Sequence, residues 1–63
     1  MNRREFVRFL KAHGCVLLRE GRNHSVYLNE RANKVSTVPR HAEINHFLAR
    51  KICRDLKIPP PRQ

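Results

Sequence analysis

Two short runs of this chain hold residue types able to move protons and bind phosphate. They are Gly21-Arg22-Asn23-His24-Ser25-Val26-Tyr27 and Ser36-Thr37-Val38-Pro39-Arg40-His41. A histidine takes or gives a proton near neutral pH. An arginine keeps its charge and offers a planar fork of donors that matches a phosphate. His24 stands just behind a glycine-bounded turn, with Arg22 two residues before it, and His41 directly follows Arg40. Such groups suit acid–base chemistry on a phosphodiester. The composition agrees in sign: 14 Lys and Arg against five Asp and Glu give a net charge of +9 on 63 residues. A surface this cationic attracts polyanions, and nucleic acid is the commonest polyanion in a cell.

The four histidines are not equivalent. His13 lies beside Gly14 at the end of a predicted helix, where a cation favours the helix dipole and capping explains it without any function. His46 falls inside the second predicted helix, next to Phe47, at the surface or boundary. His24 has two readings: a proton carrier, or a half-buried histidine bonded to backbone. His41 precedes the second helix and can serve that helix, donate to phosphate when protonated, or act as a second catalytic group. Neither metal nor small-molecule cofactor is expected, because no pair among the histidines and cysteines has zinc-type spacing on one predicted element.

Around these groups the apolar pattern predicts five elements. Asn2 caps a helix over about residues 3–12, with Glu5 three positions on as in a capping box and Gly14 as its stop. Phe6, Phe9 and Leu10 recur on one face of it. Cys15–Glu20, His24–Asn29 and Lys34–Val38 read as strands, separated by Gly21 and by the polar turn 30–33 and closed by Pro39. Strand parity groups His24 with Val26 and Leu28, opposite Tyr27. Val26 is expected to face the core, so His24 must lie at a frayed strand start or be re-aimed by a bulge. A second helix is predicted from near Glu43, with Ile44, Phe47, Leu48, Ile52 and Leu56 as its apolar stripe and Pro59–Pro61 as its end. Two helices must then cover one face of a three-stranded antiparallel meander. This is an α+β fold of order α-β-β-β-α, resembling the double-stranded-RNA-binding domain.

Length allows one domain, over residues 1–58, with a short proline-rich tail at 59–63. A core this small leaves no room for a deep substrate cavity, so a site belongs on the surface. Met1-Asn2-Arg3-Arg4 is basic but the apolar run of a signal peptide does not follow, and no stretch suits a membrane span. Cys15 and Cys53 form no Cys-x-x-Cys pair; two free thiols in a reducing cytoplasm are expected. The glycosylation pattern at Asn23-His24-Ser25 is then accidental.

Leu10-x-x-His13-Gly14-Cys15-x-x-Leu18-Arg19, then Gly21-x-x-His24-x-x-Tyr27, then Ser36-Thr37-Val38-Pro39-x-His41 together resemble the HicA toxin family of bacterial toxin–antitoxin systems. The resemblance runs from the first helix through the second. It implies the same small fold, endoribonuclease activity on mRNA, and neutralisation by an acidic HicB-like antitoxin. The family's catalytic histidine falls on His24. The usual turn there is Gly-Ser-His; this chain has Gly21-Arg22-Asn23-His24, with Asn23 in place of the serine.

If the chain is such an enzyme, the RNA's own 2′-hydroxyl is the nucleophile and His24 its general base. Arg22, Lys34, Arg40 and His41 are the expected RNA-binding residues, the cations stabilising the charged transition state. Two other functions explain the charge, though not the Gly-x-x-His-x-x-Tyr context: a non-catalytic RNA-binding module, and a basic module that meets an acidic protein.

Overall fold

The first helix begins where the sequence offers a cap. In the computed structural model, which describes residues 1–61, Asn2 is extended and its side chain accepts from the Glu5 N–H at 2.9 Å. Helix α1 runs Arg3–Ala12. His13 caps its end and Gly14 follows at φ +84°, a backbone conformation that a residue with a Cβ rarely adopts.

Three strands follow, β1 (Cys15–Glu20), β2 (His24–Asn29) and β3 (Lys34–Pro39). They pair in chain order as an antiparallel sheet with β2 in the middle. The β2–β3 turn closes with Asn33 at φ 56°, a left-handed position that asparagine tolerates. The one register shift lies in β1, between Leu17 and Arg19. Pro39 is itself the last residue of β3, paired with His24. It sits on an edge strand, where a missing donor costs no ladder bond.

Helix α2 (His46–Asp55) starts later than the apolar spacing predicts. Asn45 is its cap, accepting from the Leu48 N–H at 2.9 Å. Glu43 bridges Asn2 and Ile44 donates to the Met1 carbonyl at 2.9 Å, so this segment is held by the N-terminus and is not helical. Ile44 is fully buried from there. Phe47 does not belong to the stripe: at about 3.6 residues per turn it stands about 140° around the helix from Ile52. It is 79% exposed, and Ala49 and Cys53 fill the buried face with Ile52. The stop also comes earlier than the prolines. Lys57 takes φ 59° and Ile58 N–H closes back on the Cys53 carbonyl at 3.0 Å. The expected tail is described as far as Pro61; Arg62 and Gln63 lie outside the described residues.

Both helices pack on one face of the sheet. Phe6 and Leu10 of α1, Ala49, Ile52 and Cys53 of α2, and Cys15, Tyr27 and Val38 of the strands share one buried cluster with Ile44 and Leu56. Each fully buried Leu, Ile or Phe among them contributes about 1.5–3 kcal/mol. The parity of β2 is the reverse of the expected one. Ser25, Tyr27 and Asn29 face the helices, while Val26 and Leu28 are half-buried on the uncovered side. Polar residues can face inward here because the helices supply partners. Asn29 Nδ2 donates to the Leu56 carbonyl at 2.7 Å, and Ser36 Oγ to Asp55 Oδ2 at 3.4 Å. Asp55 also takes Lys51 Nζ at 2.9 Å, the pairing expected one helical turn apart.

Candidate active site

The reversed parity resolves the difficulty over His24. Its side chain goes with Val26 and Leu28 to the uncovered face, so it is exposed without any bulge in β2. Backbone contacts fix its place. Gly21 N–H donates to the His24 carbonyl at 2.8 Å, and Arg40 N–H to the Asn23 carbonyl at 3.2 Å. A Cβ on Gly21 would stand 2.9 Å from that same carbonyl oxygen, closer than real Cβ contacts come. Glycine is therefore needed at this position by close approach.

The polar residues of the turn have partners of unequal reach. Arg22 is exposed on the turn itself. Arg40 follows β3 next to the strand ends and pairs through Nη2 with Glu20 Oε2 at 3.3 Å. A guanidinium has five N–H donors, so a single such contact leaves others for a ligand. His41 is exposed beside it. Arg22, His24, Arg40 and His41 therefore gather at one end of the sheet. Lys34 does not join them: it pairs with Asn29 at the other end of β3, five residues or about 17 Å away.

The same end of the sheet receives both helix N-termini. Arg3, the first residue of α1, donates through Nε to the Pro39 carbonyl at 2.9 Å, and its N–H to Ala42 at 2.9 Å. The α2 cap, Asn45, stands three residues beyond Ala42. Helix N-termini carry partial positive charge, so a phosphate is favoured on this side. The opposite end is lined by the two C-termini. A cavity of about 610 Å³ there is bounded by His13, Glu30, Arg31 and Lys57 among others. Helix carbonyls aim toward it and oppose an anion. His13 itself is spoken for, its Nδ1 3.0 Å from the Phe9 carbonyl and its ring 4.3 Å from that of Phe9.

Sequence reasoning missed three residues at the His24 end: Arg3, Glu20 and Ser25. Ser25 Oγ donates to Glu20 Oε1 and accepts from Arg3 Nη2 at 2.9 Å. The Ser25 hydroxyl, first, and the nearby Arg40 and Arg3 charges hold the Glu20 carboxyl below its usual range. The only hint in the sequence was that Glu20, one of five acids in a basic chain, sits directly before Gly21.

The described residues contain no group of three or more His, Cys, Asp or Glu placed to hold a metal ion, and no helix among them is long and apolar enough to cross a membrane. Both cysteines are buried and free, and burial pushes the Cys53 thiol up to about 11.

Neither the curated proteins nor the solved structures yield a match to this chain. A family model described as the HicA toxin of bacterial toxin–antitoxin systems matches residues 3–58, from the first residue of α1 to just past the α2 stop. That span holds every element of the fold and the whole His24 end of the sheet, and the chain belongs to the HicA toxin family.

Proposed function

We propose that this toxin is an endoribonuclease that cleaves mRNA, with His24 as general base and the RNA 2′-hydroxyl as nucleophile. The observation that carries the reading is the setting of His24. It is exposed on the uncovered sheet face, at the strand end that also carries Arg22, Arg40 and His41, with both helix N-termini behind that end on the other face.

The step balances with groups at hand. A ring nitrogen of His24 takes the 2′-hydroxyl proton, and the 2′ oxygen bonds to the adjacent phosphorus. The bond from phosphorus to the 5′ oxygen breaks, and that oxygen takes a proton from water, which reaches an open site freely. The imidazolium then gives its proton to the hydroxide left behind. The products are a 2′,3′-cyclic phosphate and a 5′-hydroxyl. Arg22 and Arg40 offset the charge that builds on the phosphorane, and His41 adds to this when protonated. Lys34 takes a phosphate farther along the strand. A lone base supplies about a hundred- to ten-thousand-fold. The enzyme is slow, and slow loss of message is enough for toxicity. An acidic HicB-like antitoxin neutralises it by covering the same cationic end.

The test is a substrate with one 2′-deoxy nucleotide at the cleavage position. Wild-type protein should cut the all-RNA strand to the cyclic phosphate and 5′-hydroxyl, with or without chelator. It should bind the substituted strand equally well and leave it intact. Cleavage of the deoxy-substituted strand, or products with a 5′-phosphate, would refute the mechanism.

A further inference from the structure

Under the turn that carries His24, one carboxylate ties four segments together. Glu20 ends β1 and follows the register shift in that strand. Its Oε1 accepts from Ser25 Oγ, the buried residue next to His24. Ser25 in turn accepts from Arg3 at the start of α1, which also holds the Pro39 carbonyl. The second oxygen, Oε2, engages Arg40 just past β3. The chain Arg3–Ser25–Glu20–Arg40 thus lies on the helix side of the strand end whose uncovered side carries His24.

We infer that Glu20 is a positioning residue of the cleavage site, holding the Arg40 guanidinium and the His24 turn in register for the scissile phosphate. The inference rests on the ribonuclease reading above. Stability does not account for the arm that reaches Arg40; the share of Glu20 in the fold is its bond to the buried Ser25 hydroxyl, which an amide oxygen can keep. The Glu20–Arg40 pair is a single contact at 3.3 Å, with both side chains largely open to solvent at 51% and 41%, and exposed pairs of this kind add little. Its placement also carries a cost for the toxin's own ligand. It puts a negative charge at the end of the sheet where a phosphate must approach, which weakens RNA binding. A charge that opposes binding and whose ion pair adds little stability, yet is tied to the residue next to the base, acts on geometry. A catalytic group displaced by about an ångström loses up to about a hundredfold in rate.

Two variants cut the chain at different links. Glu20→Gln keeps an oxygen for Ser25 but presents no charge to Arg40. Ser25→Ala keeps the Glu20–Arg40 pair and releases its inner anchor, and with it the Arg3 contact. Single-stranded RNA cleaved by the wild type is the substrate, with kcat and KM measured separately and thermal unfolding alongside. For Glu20→Gln we expect kcat to fall about tenfold to a hundredfold, KM to stay level or fall because a repelling charge is gone, and the unfolding temperature to hold. Ser25→Ala should lower kcat in the same direction, and it decides the matter should Glu20→Gln fail to fold. Wild-type kcat in a folded Glu20→Gln protein overturns the inference. So does a rise in KM together with a lower unfolding temperature, which marks a structural role. The wild type and His24→Ala run beside them as controls: if the wild type leaves the RNA intact, the ribonuclease reading itself has failed. If it cleaves, His24→Ala does not, and Glu20→Gln matches wild type, only the role of Glu20 is wrong.

Discussion

Replacing His24 by alanine separates catalysis from folding because the structure assigns its side chain almost no part in the fold. The ring is exposed on a sheet face that neither helix covers. The bonds that fix the turn use backbone atoms: the His24 carbonyl accepts from Gly21, and the Asn23 carbonyl from Arg40. Alanine keeps them all. A surface substitution away from buried contacts changes stability by at most about 0.5 kcal/mol. In a domain of this size, 1 kcal/mol moves the melting temperature by about 4–8 °C, so His24→Ala should shift it by no more than about 4 °C. The catalytic loss is far larger. Removing a general base costs about a hundred- to ten-thousand-fold, or about 2.7–5.4 kcal/mol of barrier at about 1.36 kcal/mol per tenfold. Thermal unfolding followed by circular dichroism gives the first quantity. Single-turnover cleavage of a labelled RNA gives the second, and a binding titration confirms that affinity is kept. A variant that melts more than about 8 °C early, with cleavage and binding lost together, would show a structural histidine. A folded variant with full cleavage would remove His24 from the mechanism and turn attention to His41, the other exposed histidine at that end.

RNA affinity should fall steeply with salt, because the cations displace counterions from phosphates. With about three contacts, from Arg22, Arg40 and Lys34, the slope of log K against log salt is about −2 for a single strand, or roughly twentyfold between 50 and 200 mM; affinity flat across that range would disprove a cationic interface. Gly21→Ala should lower kcat for RNA cleavage while leaving the helix content intact, since its Cβ would meet the His24 carbonyl oxygen at 2.9 Å and displace the turn. Wild-type kcat in that variant would mean the turn need not be held in place.

How far the sequence alone reaches depends on the range of the interaction that decides each feature. Local signals sufficed for α1, whose cap, apolar face and glycine stop lie within about a dozen residues. They sufficed for the strand limits too, since turns are set by their own residues: Gly21 for one hairpin, the left-handed Asn33 for the other. The start of α2 was misjudged because Ile44 continues the helical spacing of Leu48 and Ile52. Asn45 is the competing signal, a strong capping residue that stops the helix one position before His46. Ile44 is buried by a bond to Met1, which no local pattern shows.

The face of β2 was likewise decided at long range. Alternation alone puts Val26 and Leu28 inside, and it misleads because burial of a polar side chain costs only when it lacks a partner. Asn29 finds one at Leu56, the C-cap of α2, 27 positions away, and Ser25 finds one on α1, 22 positions away. With those bonds made, Tyr27 takes the core and the valine–leucine face turns outward, carrying His24 with it. The exposure of the candidate base therefore follows from hydrogen bonds made on the other side of the strand. The family motif picks out His24 and His41 by order and spacing, while Arg40, between Pro39 and His41, is marked by its charge alone. The motif gives no sign of Arg3, Glu20 and Ser25: Glu20 and Ser25 meet as a cross-strand pair of the first hairpin, and Arg3 joins them only because α1 docks beneath the ends of β2 and β3. It mixes core and turn residues such as Leu10, Gly14 and Cys15 with the candidate site residues. What holds them still has to be read from the folded chain.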